Sequence, residues 1–223
     1  MVRFLPCMCS NVELDELQDQ MQKLLEKQNF ITTWDPETML PPHTDVILEA
    51  NDGRLVHAHK STLMGKSVEF KNMFSALKDI VNPQVVKMDM DHRSLEAFIH
   101  FFYTGHVKDD VMTELADKLL RASDKYGIVL LHDLCQEKLM TLIHPDRIFQ
   151  YFLLGNKCRA EQLVHSIISF VANNYCDISE ISGYNEFLKD DPTLVAKLCN
   201  GVVKKLKVRL SDHHVKGNVT KHE

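Results

Sequence analysis

The sequence predicts an α+β fold in which a few short strands come before a long series of helices. Short β-type runs occur at residues 44–50, 54–59 and 85–88. Apolar residues recur at helical spacing in most of the chain from Leu63 onward. Glycine and proline number only 8 and 7 among 223 residues, a low content that favours helix.

Length and charge exclude several classes of protein. A chain of 223 residues can bury a core without disulfide or metal support, and it suggests one or two domains. Its net charge of −5 argues against nucleic acid as a principal partner. No apolar run approaches the ~20 residues of a membrane span. The first ten residues lack the apolar core of a signal peptide, so we expect a cytoplasmic or nuclear protein with free, mostly buried cysteines.

The N-terminal region predicts one amphipathic helix over residues 12–30, followed by an extended linker over 31–43. Apolar residues in the helix follow heptad spacing, namely Leu14, Leu17, Met21 and Leu24. So short a seam is not stable alone, and the helix must dock on its own domain or on a second copy. Three prolines exclude helix from the linker.

A β-hairpin is predicted next, because Asn51-Asp52-Gly53 separates the first two β-type runs. Helical spacing then begins, and we expect Gly65 and Ser67 to divide this region into two short helices. A third strand is predicted at residues 85–88.

Later helices have recognisable ends. Asp91 is placed to cap a helix whose apolar stripe ends at Phe102, and Gly105 suits the left-handed position after it. Further helical patterns follow almost without interruption to residue 210. We predict an N-terminal region over 1–43, a domain over 44–143, a helical extension over 144–210 and a flexible tail over 211–223.

Three motifs resemble parts of ligand or metal sites but lack essential members. Gly65-Lys66-Ser67 matches the end of a phosphate-binding loop, yet Lys60 stands where that loop needs glycine. His57 and His59 share one face of a strand without a recognisable third metal ligand, and Cys7-Met8-Cys9 has no second cysteine pair. We therefore predict no cofactor and no metal site, and we expect His59 to be a hydrogen-bonded structural residue.

Catalysis is not predicted either. His132, Asp133 and Cys135 would point to different faces of one helix, and no Gly-x-Ser-x-Gly elbow occurs. A metal- or thiol-dependent enzyme stays an alternative. A basic cluster, formed by Lys204, Lys205, Lys207 and Arg209, could serve nuclear import or an acidic partner, but a solvated helix face is favoured.

Residues 57–74 resemble the signature of the BTB/POZ domain, in particular that of the speckle-type POZ group and of similar plant proteins. Other matching segments are Thr44-Asp45-Val46, Phe101-Phe102-Tyr103-Thr104-Gly105, Ala122-Ser123-Asp124-Lys125-Tyr126, Ser182-Gly183-Tyr184 and Pro192-Thr193-Leu194-Val195. The resemblance extends over about residues 44 to 200. It implies a small three-stranded sheet wrapped by helices, with a BACK-like character for the helical extension.

The resemblance also implies homodimerisation and adaptor work for cullin-3 ubiquitin ligases, with substrate proteins that the sequence does not identify. Residues carried over to the dimer interface are Leu14, Leu17, Met21, Leu24, Leu25, Asp45 and Lys60. Residues carried over to the cullin surface are Leu77, Asp79, Tyr103, Asp124, Lys125 and Tyr126. No nucleic acid and no membrane are expected as partners.

Two departures from the family pattern qualify this hypothesis. The chain shows no MATH, Kelch or zinc-finger pattern beside the domain, so we expect no recognition module of those kinds. Leu77-x-Asp79 replaces the hydrophobic-x-Glu motif of cullin-binding members. Because aspartate is shorter than glutamate, we expect weaker binding to cullin-3. The alternative is a dimerising scaffold or transcription-linked protein that does not bind cullin.

Overall fold

A computed structural model describes residues 44–76, 84–175 and 178–219 of the chain. The predicted helix over 12–30 and the linker over 31–43 therefore lie outside the described residues. So do Leu77 and Asp79, and Cys176.

Three short strands form one sheet in the order β2-β1-β3. Their bounds are β1 (Val46–Glu49), β2 (Leu55–Ala58) and β3 (Gln84–Lys87). β1 pairs antiparallel with β2 and parallel with β3, so that Ile47 lies opposite both His57 and Val85. Val46 and Leu48 of the central strand are fully buried, as the period-two alternation of a strand requires. The three predicted strands are confirmed.

The predicted hairpin turn is also confirmed. Gly53 adopts a φ of 78°, a left-handed conformation that glycine tolerates, and its N–H donates to the Ala50 carbonyl at 2.9 Å. Asp52 accepts hydrogen bonds from the backbone and the guanidinium of Arg54. These hydrogen bonds stabilise the turn between β1 and β2, and each joins residues that are two or three positions apart in the sequence.

Helices make up most of the remaining described chain. In chain order they are α1 (Lys60–Lys66), α2 (Val68–Ala76), α3 (His92–Thr104), α4 (Asp109–Tyr126), α5 (Val129–Thr141), α6 (Ile148–Lys157), α7 (Glu161–Asn174), α8 (Tyr184–Asp190) and α9 (Pro192–Val219), with 3₁₀ turns at Pro145–Arg147 and Ile178–Glu180. The predicted α+β class is therefore confirmed. Ser67 interrupts the chain between α1 and α2 as predicted, whereas Gly65 lies inside α1.

Both predicted ends of α3 are present. The Asp91 carboxylate accepts the Ser94 N–H at 3.1 Å, which satisfies an amide that the first helical turn leaves free. Gly105 takes a φ of 64°, and its N–H donates to the Phe101 carbonyl at 2.9 Å. The apolar stripe between these ends, which includes Phe98 and Phe102, is buried.

The chain divides into two compact units, and each unit has its own core. Among the described residues, the first unit holds those from Thr44 to Val111 together with Lys125–Leu131, and the second holds Met112–Asp124 together with those from His132 to Val219. The predicted division between residues 143 and 144 stays a prediction. In the first unit, aromatic rings of α2, α3 and the end of α4 pack together beside the sheet, with Phe70 stacked on Tyr126 at 4.6 Å between ring centroids.

The second unit is built on close helix packing. α6 approaches α7 at Gly155, where an added Cβ would lie 2.9 Å from a Val164 methyl group. α9 approaches α7 at Gly201, beside Ile168. α9 continues to Val219, so the backbone is helical over residues 211–219. The predicted flexibility of residues 211–223 stays a prediction.

Two further observations concern the described ranges. None of their helices combines the length and the apolar composition that crossing a bilayer requires. Cys135 and Cys158 are buried free thiols, and Cys199 is a half-buried one.

Candidate protein-interaction site

The junction between β1, β2 and α1 brings together Asp45 and Lys60, which the family resemblance assigned to a dimer interface. The Asp45 carboxylate accepts the backbone N–H of Lys60 at 2.8 Å. This amide is the first of α1 and has no acceptor within its own helix, so Asp45 caps the helix from a residue just before β1. A carboxylate–amide hydrogen bond therefore joins Asp45 to Lys60.

His59 lies at the same junction and is held by Tyr103 of α3. The Tyr103 hydroxyl accepts the His59 backbone N–H at 2.9 Å and lies 3.0 Å from the imidazole Nδ1. Burial raises the pKa of the Tyr103 phenol, while the hydrogen bond from His59 acts in the opposite direction. The prediction that His59 is a hydrogen-bonded structural residue is confirmed.

A second junction joins the start of α2 to the end of α4. The Ser67 hydroxyl donates to the Tyr126 carbonyl at 2.7 Å and accepts the Phe70 N–H at 3.2 Å. The Tyr126 ring stacks on Phe70, and its hydroxyl donates to the Met88 sulfur at 3.6 Å. Burial raises the pKa of Tyr126 to about 12, with a further contribution from nearby acidic residues.

Tyr103 and Tyr126 were predicted as aromatic contacts on the cullin surface, and the structure corrects that role. Tyr103 is 1% exposed and Tyr126 is 2% exposed. Their rings face the core because both belong to the apolar stripes of their helices, with hydroxyls satisfied inside the first unit. Neither ring offers a surface to a partner in this structure.

Two exposed apolar side chains lie close in the sequence to the two residues of the second junction, Ser67 and Tyr126. Val68, directly after Ser67, is 72% exposed, and Val129, three residues after Tyr126, is 69% exposed. Lys125, also predicted as a cullin contact, is exposed as well, and its ammonium lies 5.5 Å from the Tyr126 ring centroid. We call Val68, Lys125 and Val129 the α2–α5 patch. The sequence did not single out the two valines, because an isolated exposed valine has no distinguishing pattern.

Asp124, the remaining predicted cullin contact, belongs to the second unit and is already paired there. Its carboxylate accepts from Arg159 at 2.9 Å and 3.2 Å. Arg159 has a φ of 55°, a left-handed conformation that is costly for a residue with a Cβ. The ion pair therefore accompanies a strained backbone position after α6, which the sequence did not indicate.

The described residues give little support for metal or thiol chemistry. They contain no group of three or more histidine, cysteine or acidic side chains that could hold a metal ion. His57 is exposed, and its Nδ1 lies 3.4 Å from the Thr44 hydroxyl. Burial raises the pKa of the Cys135 and Cys158 thiols, whereas a nucleophilic thiol needs a lowered pKa.

Lys66 belongs to the incomplete phosphate-binding motif, but its observed contact is with a helix end. Its ammonium donates to the Phe102 carbonyl in the last turn of α3. Partial burial lowers the pKa of Lys66 to about 8. A cation at the C-terminal end of a helix complements the negative end of the helix dipole. Lys66 thus links α1 to α3.

Comparison with known proteins identifies relatives of this chain. A BTB/POZ domain-containing protein of Arabidopsis thaliana is 25% identical to this chain over 167 residues, which are 73% of this chain and 68% of that protein. TD and POZ domain-containing protein 3 of Mus musculus is 30% identical over 146 residues, 65% of this chain and 40% of that protein. A second BTB/POZ domain-containing protein of Arabidopsis thaliana is 22% identical over 184 residues, 81% of this chain and 64% of its own length.

This chain thus spans between 40% and 68% of the lengths of these relatives. Among solved structures, the BTB domain of zebrafish PATZ1 is similar with a TM-score of 0.37 and 23% identity, over 44% of this chain and 76% of that one. A family model for the BTB/POZ domain matches residues 38–142, the range that holds the sheet and the helices α1 to α5. The chain therefore contains a BTB/POZ domain, which occupies residues 38–142.

Proposed function

We propose that this chain is a homodimerising adaptor that joins substrate proteins to a cullin-3 ubiquitin ligase. The BTB/POZ domain implies protein–protein interaction and dimerisation. The cullin partner is the specific part of the proposal. It is supported by the α2–α5 patch and by the position of Leu77 and Asp79 in the sequence, directly after α2.

The α2–α5 patch has the composition of a binding surface. Val68 and Val129 are exposed apolar side chains, and the Ser67–Tyr126 hydrogen bond holds their two chain segments together. Apolar anchors that become buried in an interface contribute about 2 kcal/mol or more each when they lie at its centre. Lys125 supplies a positive charge at the rim, where charge affects association rate and specificity.

α2 connects the patch to the predicted cullin motif. Val68 begins the helix, and Leu77 and Asp79 follow its last residue, Ala76. A helix of nine residues is about 13 Å long, well within the width of one protein interface. One partner surface can therefore contact both ends of α2. The Asp79 carboxylate would accept a hydrogen bond that is longer or bridged by water.

Calorimetry of the full chain against the N-terminal domain of cullin-3 tests the adaptor. We expect a binding heat at micromolar concentration, reduced by Leu77→Ala and by Val68→Asp with Val129→Asp. Leu55→Asp is the matched control, because Leu55 is 49% exposed on β2, the edge strand opposite β3. No heat at high micromolar concentration refutes the adaptor, and a heat unchanged by these substitutions refutes the residue assignment.

Light scattering tests the dimer separately. The proposed interface combines the apolar seam Leu14, Leu17, Met21, Leu24 and Leu25 with the Asp45–Lys60 junction. Burying a leucine contributes ~1.5–3 kcal/mol, so Leu17→Asp with Leu24→Asp should dissociate the dimer. Gln20→Asp with Gln22→Asp adds the same charge at heptad positions that no seam residue occupies, and it should leave the dimer intact. A seam variant that stays a folded dimer contradicts the assignment.

Together the two measurements separate the alternatives. A dimer that gives no heat with cullin-3 supports the scaffold or transcription-linked function instead. A monomer that still binds cullin-3 supports the adaptor without the proposed dimer interface.

A further inference from the structure

α9 uses one face to pack inside the second unit. Val195, Leu198 and Val202, spaced three and four residues apart, are buried. Gly201 lies against Ile168 of α7, and an added Cβ there would be 2.7 Å from the Ile168 Cδ1 atom. These contacts fix which side of α9 faces the unit.

A second apolar row runs beside the buried face. It consists of Ala196, Cys199, Val203 and Leu206, at spacings of three, four and three residues. Val203 is 48% exposed and Leu206 is 39% exposed, Ala196 is also exposed, and Cys199 is half-buried. We call these four residues the α9 stripe. Its spacing is the heptad spacing by which one helix receives another along a narrow seam.

The exposed flank of the α9 stripe is basic, and the Lys197 ammonium on this flank also donates to the Asn156 side chain of α6. The residues that directly follow the four stripe positions are Lys197, Asn200, Lys204 and Lys207, all exposed. The opposite flank is the buried face of the helix, so the basic flank is the side of α9 that a partner on the stripe would contact. In a chain with a net charge of −5, this local excess of positive charge complements an acidic partner.

We propose that the α9 stripe is a docking site for an acidic amphipathic helix of a partner protein. A second copy of α9 is a poorer occupant, because Lys204 and Lys207 would meet like charges. A membrane surface is a poorer occupant too, because the stripe has no aromatic anchor of the kind that interfacial helices use. Nucleic acid would use the lysines alone and leave the apolar stripe uncovered.

The probe for this site is a synthetic 21-residue peptide with leucine at heptad positions a and d and glutamate at positions e and g. Its glutamates repel each other, so the peptide disfavours pairing with itself. The control peptide has lysine at the same e and g positions. Anisotropy of the labelled peptides with the full chain should show binding of the acidic peptide at least tenfold tighter than that of the basic one, and weaker at high salt.

Two pairs of substitutions locate the site. Val203→Asp with Leu206→Asp, and separately Lys204→Glu with Lys207→Glu, should each weaken the acidic peptide at least tenfold. Leu153→Asp is the matched control, because Leu153 is 46% exposed on α6 of the same unit. Circular dichroism confirms that each variant is folded, and the charge-reversal pair alters only exposed side chains.

Several results would overturn the inference. Equal binding of the two peptides, absence of binding, or binding unchanged in both variants would each do so. Tighter binding to phosphatidylserine vesicles or to a DNA duplex than to the acidic peptide would also overturn it, in favour of that class of partner.

Discussion

The Ser67 hydroxyl donates a 2.7 Å hydrogen bond to the Tyr126 carbonyl, and 59 positions of sequence separate the two residues. The same hydroxyl oxygen accepts the Phe70 N–H, so one buried side chain both caps α2 and ties it to the end of α4. Because Val68 and Val129 flank this hydrogen bond in the sequence, it also positions the α2–α5 patch.

Ser67→Ala should therefore lower the stability of the fold. Removing the hydroxyl leaves a buried carbonyl and a buried amide without this partner, and an unsatisfied buried group costs about 1–3 kcal/mol. Urea unfolding followed by circular dichroism measures the change. Ser75→Ala, at an exposed position of the same helix, is the control and should change the free energy of unfolding by less than ~0.5 kcal/mol. Equal effects of the two substitutions would contradict the role of Ser67.

Features encoded by neighbouring residues could be predicted from the sequence. The turn at Gly53, the cap at Asp91 and the end of α3 at Gly105 each depend on the conformational preference or side-chain reach of a few residues. The strands and the apolar stripes were likewise visible as periods of two and of 3.6 residues.

Contacts between distant segments could not be predicted in the same way. Tyr103 was expected at a surface, but the packing of α3 turns it toward His59, 44 positions earlier. The pairing of Arg159 with Asp124 depends on how α6 ends, and no local sequence pattern predicts this pairing. The polar composition after residue 210 likewise did not indicate the helical backbone that continues to Val219.

The Tyr103–His59 contact gives a second prediction. Tyr103→Phe keeps the buried ring and removes the hydroxyl that accepts the His59 N–H, so it should lower the free energy of unfolding by about 1–3 kcal/mol. His59→Ala should also lower the melting temperature, with no change in bound metal. A double-mutant cycle should show a coupling energy above ~0.5 kcal/mol, since the two side chains share one contact. Strict additivity of the two effects would mean that they act independently.

Lys66 gives a prediction about pH. Its pKa is about 8 in the folded chain, whereas the ordinary pKa of a lysine, 10.5, applies to the unfolded chain. Between these two pH values, the unfolded chain therefore holds a proton that the folded chain has released. The contribution of Lys66 to the free energy of unfolding should therefore rise as the pH increases from about 8 to 10.5. Below about pH 8, the cost of partly burying the charged ammonium is fully present. Urea unfolding of the wild type and of Lys66→Met at pH 7.5, 8.5 and 9.5 isolates the effect from other titrating groups. A difference between them that is constant with pH would show that the ammonium is not significantly desolvated.

Two glycines inside helices should respond oppositely to alanine. Gly65 of α1 has no atom within 4 Å of an added Cβ, so Gly65→Ala should gain up to ~1 kcal/mol from helix propensity. At Gly201 of α9, the new Cβ would lie 2.7 Å from the Ile168 Cδ1 atom and 3.2 Å from two further atoms of that side chain. Overpacking of this kind costs about 1–3 kcal/mol, which exceeds or cancels the gain in propensity.

Chemical denaturation should therefore place Gly65→Ala above Gly201→Ala in stability. Ile168→Val removes the Cδ1 atom and should cost less in the Gly201→Ala background than in the wild type. If Gly201→Ala is as stabilising as Gly65→Ala, the close approach of α9 to α7 is wrong.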